Sequence, residues 1–130
     1  MSRPAITTML MFEGGRAEEA MGFYLDVFGD GEIERQEPGP DGTVLHAVFR
    51  VGDQWLRAMD SPVAHGFTFT PATSLFVECD SPERVDELAG RLVEGGSSLM
   101  PLAAYPFSPR FAWVNDRFGV SWQLYLAPTE

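Results

Sequence analysis

The same order of predicted strands and helix occurs twice along this chain, and that repetition constrains its fold more than any other feature. Residues 6–12 (ITTMLMF) form a β-branched and apolar run that is typical of a strand. Apolar residues at three- and four-residue spacing then predict an amphipathic helix, which Gly29 and Gly31 end. The predicted elements of the first half are a strand over 6–12, a helix over 16–28 and strands over 32–36, 43–51 and 54–59. Their order is βαβββ.

The second half of the chain repeats this order. A capping side chain before a proline, in the sequence Asp80-Ser81-Pro82-Glu83, begins its helix. The predicted strands lie over 74–79, 97–102, 111–115 and 121–126. A shift of about 67 positions superimposes the halves and places Phe12 on Cys79 and Leu56 on Gln123. We therefore predict an α+β fold of two tandem βαβββ modules in one domain, residues 1–130, with module one at about 5–60, a linker at about 61–72 and module two at about 73–128.

Charge and composition exclude several classes of function. The net charge is -10, and the nine basic residues, all arginine, are scattered singly, so binding to nucleic acid is not expected. No apolar run approaches the roughly 18 residues that cross a bilayer, and we expect a cytoplasmic protein without a membrane partner. Cys79 is the single cysteine and lies in an apolar run, which favours a core residue over a nucleophile.

Several longer strings resemble a known family. They are Phe12-Glu13-Gly14-Gly15-Arg16-Ala17-Glu18-Glu19-Ala20 with Phe23-Tyr24, Glu78-Cys79-Asp80, Glu94-Gly95-Gly96 and, as the most specific, Trp113-Val114-Asn115-Asp116-Arg117-Phe118-Gly119-Val120-Ser121-Trp122-Gln123. Together they are similar to the PhnB-like family, also labelled demethylubiquinone-methyltransferase-like, a branch of the glyoxalase/bleomycin-resistance/dioxygenase (vicinal oxygen chelate) superfamily. The resemblance implies two βαβββ modules that form a curved, glyoxalase-like mixed sheet around a concave cavity, with helices on the outside and usually a homodimer.

The sequence does not predict the methyltransferase activity that the family label contains. A doubly wound domain that binds S-adenosylmethionine needs about 200 residues and a glycine-rich nucleotide loop after its first strand. This chain has 130 residues, and no such loop follows its first strand.

Metal-dependent members of the superfamily hold a divalent cation with His, Glu or Gln side chains from the first and last strands of each module. The resemblance carries these positions to Thr7 or Met9, to Ser74, to the vicinity of Leu56 and to Gln123. Only Gln123 is a plausible ligand, and one neutral amide does not hold a divalent ion against water. We therefore predict no metal and no other cofactor. A structural role is favoured over ligation for His46, and less strongly for His65.

The residues that could line a cavity come mainly from the second half. Alternation places Glu78 on one strand face with Ser74 and Phe76, opposite Leu75, Val77 and Cys79. The final quarter is rich in aromatic residues around Arg110, a composition that suits either packing in the core, which is favoured for each residue, or an apolar pocket with one cationic anchor. These aromatic residues are Tyr105, Phe107, Phe111, Trp113, Trp122 and Tyr125. The candidate ligand-binding residues are Thr7, Met9, Ser74, Glu78, Trp113, Gln123, Tyr125, Arg110 and His65.

Three functions remain open at this point. The first is a metal-free protein that binds a small organic ligand, like the bleomycin-resistance side of the superfamily, and the missing ligand set favours it. The second is a lyase, isomerase or dioxygenase whose metal site uses Gln123 and Glu78 with help from a partner subunit. The third is a structural or regulatory dimer with a filled cavity. No nucleophile motif identifies catalytic residues, so binding is favoured over catalysis.

Overall fold

The computed structural model describes residues 2–129 and confirms the predicted α+β class with two βαβββ modules. Module one contains β1 (Thr8–Phe12), α1 (Ala17–Phe28), β2 (Gly31–Pro38), a 3-10 turn (Pro40–Gly42), β3 (Val44–Val51) and β4 (Gln54–Asp60). Module two contains β5 (Ser74–Cys79), α2 (Pro82–Leu92), β6 (Ser97–Tyr105), β7 (Ser108–Asn115) and β8 (Ser121–Leu126). The described residues contain no helix that is long and apolar enough to span a membrane.

Each module forms a compact unit with its own four-stranded sheet. The first unit ends at Gly66 and the second begins at Phe67. The strand order is β1-β4-β3-β2 in module one and β5-β8-β7-β6 in module two. The pairs β1–β4 and β5–β8 are parallel, and the other neighbours are antiparallel. The two modules therefore share one topology.

Each sheet buries one face under its own helix. Helix α1 packs on β2, β3 and β4, and α2 packs on β5, β7 and β8. The buried side chains of α1 are Ala17, Ala20, Met21, Tyr24 and Val27, and those of α2 are Val85, Leu88, Ala89 and Leu92. Helical spacing explains both sets, because residues three and four apart lie on one side of a helix.

The two helices begin in different ways. Ser81 caps α2 with its side chain, which accepts a hydrogen bond from the amide of Arg84 at 3.1 Å. Arg16 precedes α1 and makes no side-chain cap. The first amide of α1, that of Ala17, instead donates to Oδ1 of the buried Asp60 at 2.9 Å. The start of α1 therefore depends on the last residue of β4.

Asp60 and Asp116 are buried carboxylates that satisfy backbone groups. Oδ2 of Asp60 accepts from the amide of Val44 at 2.8 Å. In module two, Oδ1 of Asp116 accepts from the amides of Phe118 and Val120 at 2.8 and 3.0 Å, and its Oδ2 accepts from Nε1 of Trp122 at 2.9 Å. The bonds of Asp116 hold the turn before β8, and those of Asp60 hold the first amides of α1 and β3. Both aspartates therefore have a structural role.

The main differences from the predicted strand limits lie in β6 and β7. The first was predicted to end at 102 and runs to Tyr105, and the second was predicted to begin at 111 and begins at Ser108. Pro101 is tolerated because β6 is an edge strand, and Pro109 precedes the part of β7 that pairs with β8.

Candidate binding faces

The face of each sheet that points away from its helix carries the candidate residues, and we call these the open faces of module one and module two. In β4, Leu56 and Ala58 are buried under α1, so alternation directs Trp55, Arg57 and Met59 to the open face. Cross-strand pairing adds Met9 beside Arg57. The two open faces can therefore be compared position by position.

On the open face of module two, Ser74, Phe76 and Glu78 of β5 pair with Ser121, Gln123 and Tyr125 of β8. This register agrees with the face expected for the three β5 residues. Trp113 pairs with Gln123 from the other side. Four of the candidate residues from the second half, Ser74, Glu78, Trp113 and Tyr125, are thus brought together around Gln123.

A short hydrogen-bond network fixes one end of this face. The hydroxyls of Ser74 and Ser121 lie 2.7 Å apart, and Nε1 of Trp113 donates to Oγ of Ser121 at 2.8 Å. The rings of Phe76 and Tyr125 lie 5.0 Å apart between centroids. The face therefore presents aromatic surface beside neutral polar groups.

Two amide side chains on this face retain unused hydrogen-bonding capacity. Among residues 2–129, Oδ1 of Asn115 is a buried atom without a hydrogen-bond partner. The half-buried Gln123 makes no side-chain hydrogen bond to any other described residue. Buried polar atoms without partners are uncommon in folded proteins, so this face can accept or donate hydrogen bonds to a small molecule.

The open face of module one carries a cationic group instead. Nε of Arg57 donates to Oγ1 of Thr7 at 3.0 Å. Nη1 of Arg57 lies 3.1 Å from Nε2 of His46. Because a guanidinium only donates hydrogen bonds, Nε2 of His46 is the acceptor in this contact. Thr7, Arg57 and His46 form a connected group on one face.

The expected correspondence between Leu56 and Gln123 is wrong by one residue. Leu56 pairs with Thr8 and is 1% exposed, in the core under α1. The residue paired with Met9 is Arg57, just as Gln123 is paired with Phe76. The error arose because the residues paired between β1 and β4 lie one position farther apart along the chain than those paired between β5 and β8. A slip of one residue moves a side chain to the other face of a strand.

Two other candidate residues lie away from the open faces. Arg110 is two residues before the buried Ala112 in β7, so both side chains lie on the α2 side of the sheet. There Nε of Arg110 donates to Oδ1 of Asp86 at 2.7 Å. This ion pair raises the pKa of Arg110. His65 follows β4, and its Nε2 lies 2.7 Å from Oγ of Ser61. Its backbone amide donates to the side chain of Glu13, which follows β1. Thr7 precedes β1, so His65 and Thr7 lie near opposite ends of that strand.

Of the six aromatic residues of the final quarter, Trp122 lies away from the open face of module two, whereas Tyr105 and Phe107 contact the ring of Phe111 edge-on, with centroids 5.7 and 4.9 Å from it. Phe111, Trp113 and Tyr125 share the open face of module two by register. Trp122 lies on the opposite face and is bonded to Asp116. Tyr105 and Phe107 stack at the β6–β7 turn, with ring centroids 5.7 Å apart. Because side chains alternate along β8, Trp122 and Tyr125 lie on opposite faces although they are only three residues apart.

The side chains at the expected metal positions do not fit a divalent metal site. They are a hydroxyl or thioether (Thr7 or Met9), a hydroxyl (Ser74), a guanidinium (Arg57) and an amide (Gln123). Among residues 2–129 no three His, Cys, Asp or Glu side chains are grouped so that they could hold a metal ion. Divalent cations in this type of site require imidazole and carboxylate donors, and this set supplies neither.

The paired βαβββ modules define a protein of the glyoxalase-type (vicinal oxygen chelate) fold, and comparisons with known proteins agree. Residues 4–125 match the family model described as 3-demethylubiquinone-9 3-methyltransferase. The chain belongs to this PhnB-like family. No curated protein matches the chain.

Three solved structures illustrate the relationship. A PhnB protein from Bacillus cereus is 48% identical, with a TM-score of 0.90, and the match covers 95% of this chain and 100% of that one. Protein PA1353 from Pseudomonas aeruginosa is 29% identical, with a TM-score of 0.80 and coverage of 96% and 98%. The fosfomycin resistance protein FosX from Listeria monocytogenes, solved with Mn(II) and a dihydroxypropylphosphonic acid, is 15% identical, with a TM-score of 0.68 and coverage of 100% and 94%. At that identity the likeness to FosX concerns the fold alone.

Proposed function

We propose that this protein binds a small organic molecule on its open faces and does so without a resident metal. The observation that carries the proposal is the pair of neutral amides on the open face of module two. Gln123 has no side-chain partner among the described residues and Oδ1 of Asn115 is buried and unpaired, while Phe76 and Tyr125 supply aromatic surface beside them. Small-molecule sites commonly combine apolar walls with a few polar groups of this kind.

The activity in the family's description is not part of this proposal. Each module is a four-stranded mixed sheet with one helix on its strands, whereas nucleotide-binding methyltransferase domains of the doubly wound type have helices on both faces of a parallel sheet. A fold alone does not fix a reaction, so the proposal depends on the side chains of the open faces.

The alternative is a metal-dependent lyase, isomerase or dioxygenase of the same fold. One observation favours it: Glu78 and Gln123 lie on the same face, on neighbouring strands, with Phe76 paired to Gln123 and Glu78 to Tyr125. A carboxylate and an amide could contribute to a metal site if a partner subunit supplied further ligands. FosX, which shares the fold, was solved with Mn(II).

Metal binding and ligand binding together test the proposal. Chelator-treated protein is dialysed against Ni, Mn, Zn or Fe(II), and bound metal is measured; we expect no stoichiometric uptake. A mixture of small aromatic amides and acids is screened by ligand-observed NMR, and we expect binding without added metal. Tight uptake of one metal per chain that Gln123→Ala abolishes would support the alternative, and the absence of any binding among the small molecules would contradict the proposal.

We also propose a cytoplasmic homodimer. The strands β2 and β6 lie at the edges of their sheets and expose Ile33 and Leu99, each 38% accessible. Both strands contain register shifts, which discourage open-ended edge pairing while leaving apolar surface for a defined partner. Sedimentation equilibrium measures this directly: a mass of one chain at micromolar concentration would contradict it.

A further inference from the structure

We propose that the open face of module one binds the oxyanion group of a small organic acid through Arg57, with Thr7 and His46 as positioning residues. This inference rests on the proposed ligand-binding function and names the chemistry of the ligand. Arg57 is a half-buried arginine in the middle of a sheet face, and its guanidinium contacts the side chains of Thr7 and His46.

Arg57 differs from the other strand arginines in its surroundings. Arg35, Arg50 and Arg110 each form an ion pair with a carboxylate. Arg57 forms none with any carboxylate in residues 2–129, although the chain contains 19 acidic residues and nine basic ones. A cation that is partly removed from water without a counter-charge is costly, and an incoming anion would supply the missing charge.

The hydrogen bonds of Arg57 leave it able to receive such an anion. A guanidinium has five N–H donors in a planar fork, and Thr7 and His46 engage one each, so about three remain. The oxygen of Thr7 accepts from Arg57, which leaves the O–H of Thr7 to donate to a ligand. Arginine is well suited to carboxylate and phosphate groups because its fork matches two oxygens at once.

The surroundings of Arg57 suit an organic body attached to the anion. Met9 and Val48 are its cross-strand neighbours, and Met9 is 40% exposed. An adjoining depression of about 460 Å³ is lined in part by Thr7, Val48 and Trp55. Apolar side chains and an indole ring beside a cation are typical of sites for small amphipathic acids.

The acidic residues near this face do not neutralise Arg57. Glu37 lies opposite His46 but pairs with Arg35 at 3.5 Å. Asp53, in the turn before β4, and Glu34, in β2 two strands from β4, also line the depression, and neither forms an ion pair with Arg57.

Calorimetric titration with three probes of similar shape tests the inference. The probes are phenylacetate, phenyl phosphate and the neutral phenylacetamide. For the wild-type protein we expect at least one of the two anions to bind about ten-fold more tightly than phenylacetamide, since a charge-assisted hydrogen bond contributes on the order of a ten-fold change in Kd. The anion that binds more tightly shows whether the site prefers a carboxylate or a phosphate group.

Arg57→Met is expected to abolish the preference for the anion while leaving phenylacetamide binding within about two-fold. Arg110→Met is the matched control, because it removes the same charge from the α2 side of β7, away from both open faces, and should keep the preference. His46→Ala should weaken the binding of the anion by a smaller factor than Arg57→Met does. Circular dichroism and the unfolding midpoint establish that each variant is folded; if Arg57→Met is unfolded, Arg57→Gln takes its place in the comparison.

Two results separate failure of this inference from failure of the proposed function. If the anions and phenylacetamide bind equally and Arg57→Met changes neither, the oxyanion site is excluded while small-molecule binding stands. If none of the three probes binds at millimolar concentration, both the site and the ligand-binding function are contradicted.

Discussion

The open faces of the two modules occupy equivalent places in one topology but carry different chemistry. Arg57 of module one and Gln123 of module two both lie on the open face of the last strand, paired with Met9 and Phe76 of the first strand. A cation held by Thr7 and His46 thus corresponds to an unpartnered neutral amide. The repeated fold therefore fixes where the open-face side chains point, while the residue at each position decides what they can bind.

The modules also differ in how they secure the same elements. Module one begins its helix with a distant residue, Asp60, whereas module two uses the local cap Ser81. Module two places its buried carboxylate, Asp116, in the turn before the last strand instead. Equivalent elements therefore depend on different residues, and substitutions at these positions should affect the modules unequally.

The largest expected effect is the loss of the buried carboxylates. Asp116→Ala leaves three donors without their acceptor, and Asp60→Ala leaves two. At about 1–3 kcal/mol for each buried unsatisfied group, partly relieved by water, we expect losses of about 4 and 3 kcal/mol in the free energy of unfolding. Urea unfolding measures both.

Glu94→Ala, an exposed change after α2, is the control and should alter stability by less than about 0.5 kcal/mol. Equal and small effects of Asp60→Ala and Asp116→Ala would mean that the two carboxylates do not hold these backbone groups in solution.

A smaller effect is expected at the local helix cap. Ser81→Ala removes the oxygen that accepts from the amide of Arg84 and should cost about 1 kcal/mol. The Ser81→Asp variant keeps a capping oxygen and should restore most of the stability. Arg16→Ala, at the corresponding position before α1, should have almost no effect through capping, because Arg16 makes no side-chain cap. A cost for Arg16→Ala as large as that for Ser81→Ala would erase the distinction between the two helix starts.

The smallest expected effect concerns Cys79, the counterpart of Phe12 at the end of the first strand. Burial raises the pKa of the Cys79 thiol, partly offset by the nearby Arg84. The folded state therefore favours the neutral thiol, and this contribution to stability is present below the unfolded-state pKa and is lost as pH rises through the folded-state pKa. A Cys79→Ser variant should lose this alkaline dependence.

Thiol alkylation at pH 8 provides the direct measurement. We expect folded protein to react at least about ten-fold more slowly than protein in urea, because the thiolate is both scarce and inaccessible. Equal rates in the two states would contradict the buried environment of Cys79.

Much of the fold could be predicted from the sequence because its signals are local. The strands Ser74–Cys79 and Ser121–Leu126 have the predicted limits, and the helix before Gly29 ends where its αL residue, with φ 69°, requires. The resemblance to the PhnB-like family was confirmed by the family match over residues 4–125. These features depend on alternation, capping and turn residues within short windows.

The candidate site was predicted less completely because it depends on register between strands. The sharing of one face by Ser74, Phe76 and Glu78 followed from alternation within a single strand. The group of Thr7, His46 and Arg57 did not, since it joins β3, β4 and the residue before β1, at separations of 50 and 11 positions. In the sequence, Arg57 alternates with the apolar Leu56 and Ala58, which could have indicated that Arg57 faces away from the core. The one-residue offset between the modules directed attention to Leu56 instead.

The measurement that tests the central comparison most directly is a two-dimensional amide NMR titration of the wild-type protein with phenylacetate. We expect concentration-dependent shifts of the amide signals of Thr7, Met9 and Arg57 that saturate with one Kd, with little change at Phe76 and Gln123. Saturable shifts confined to Phe76 and Gln123, or none at either open face, would contradict the assignment of the oxyanion site to module one.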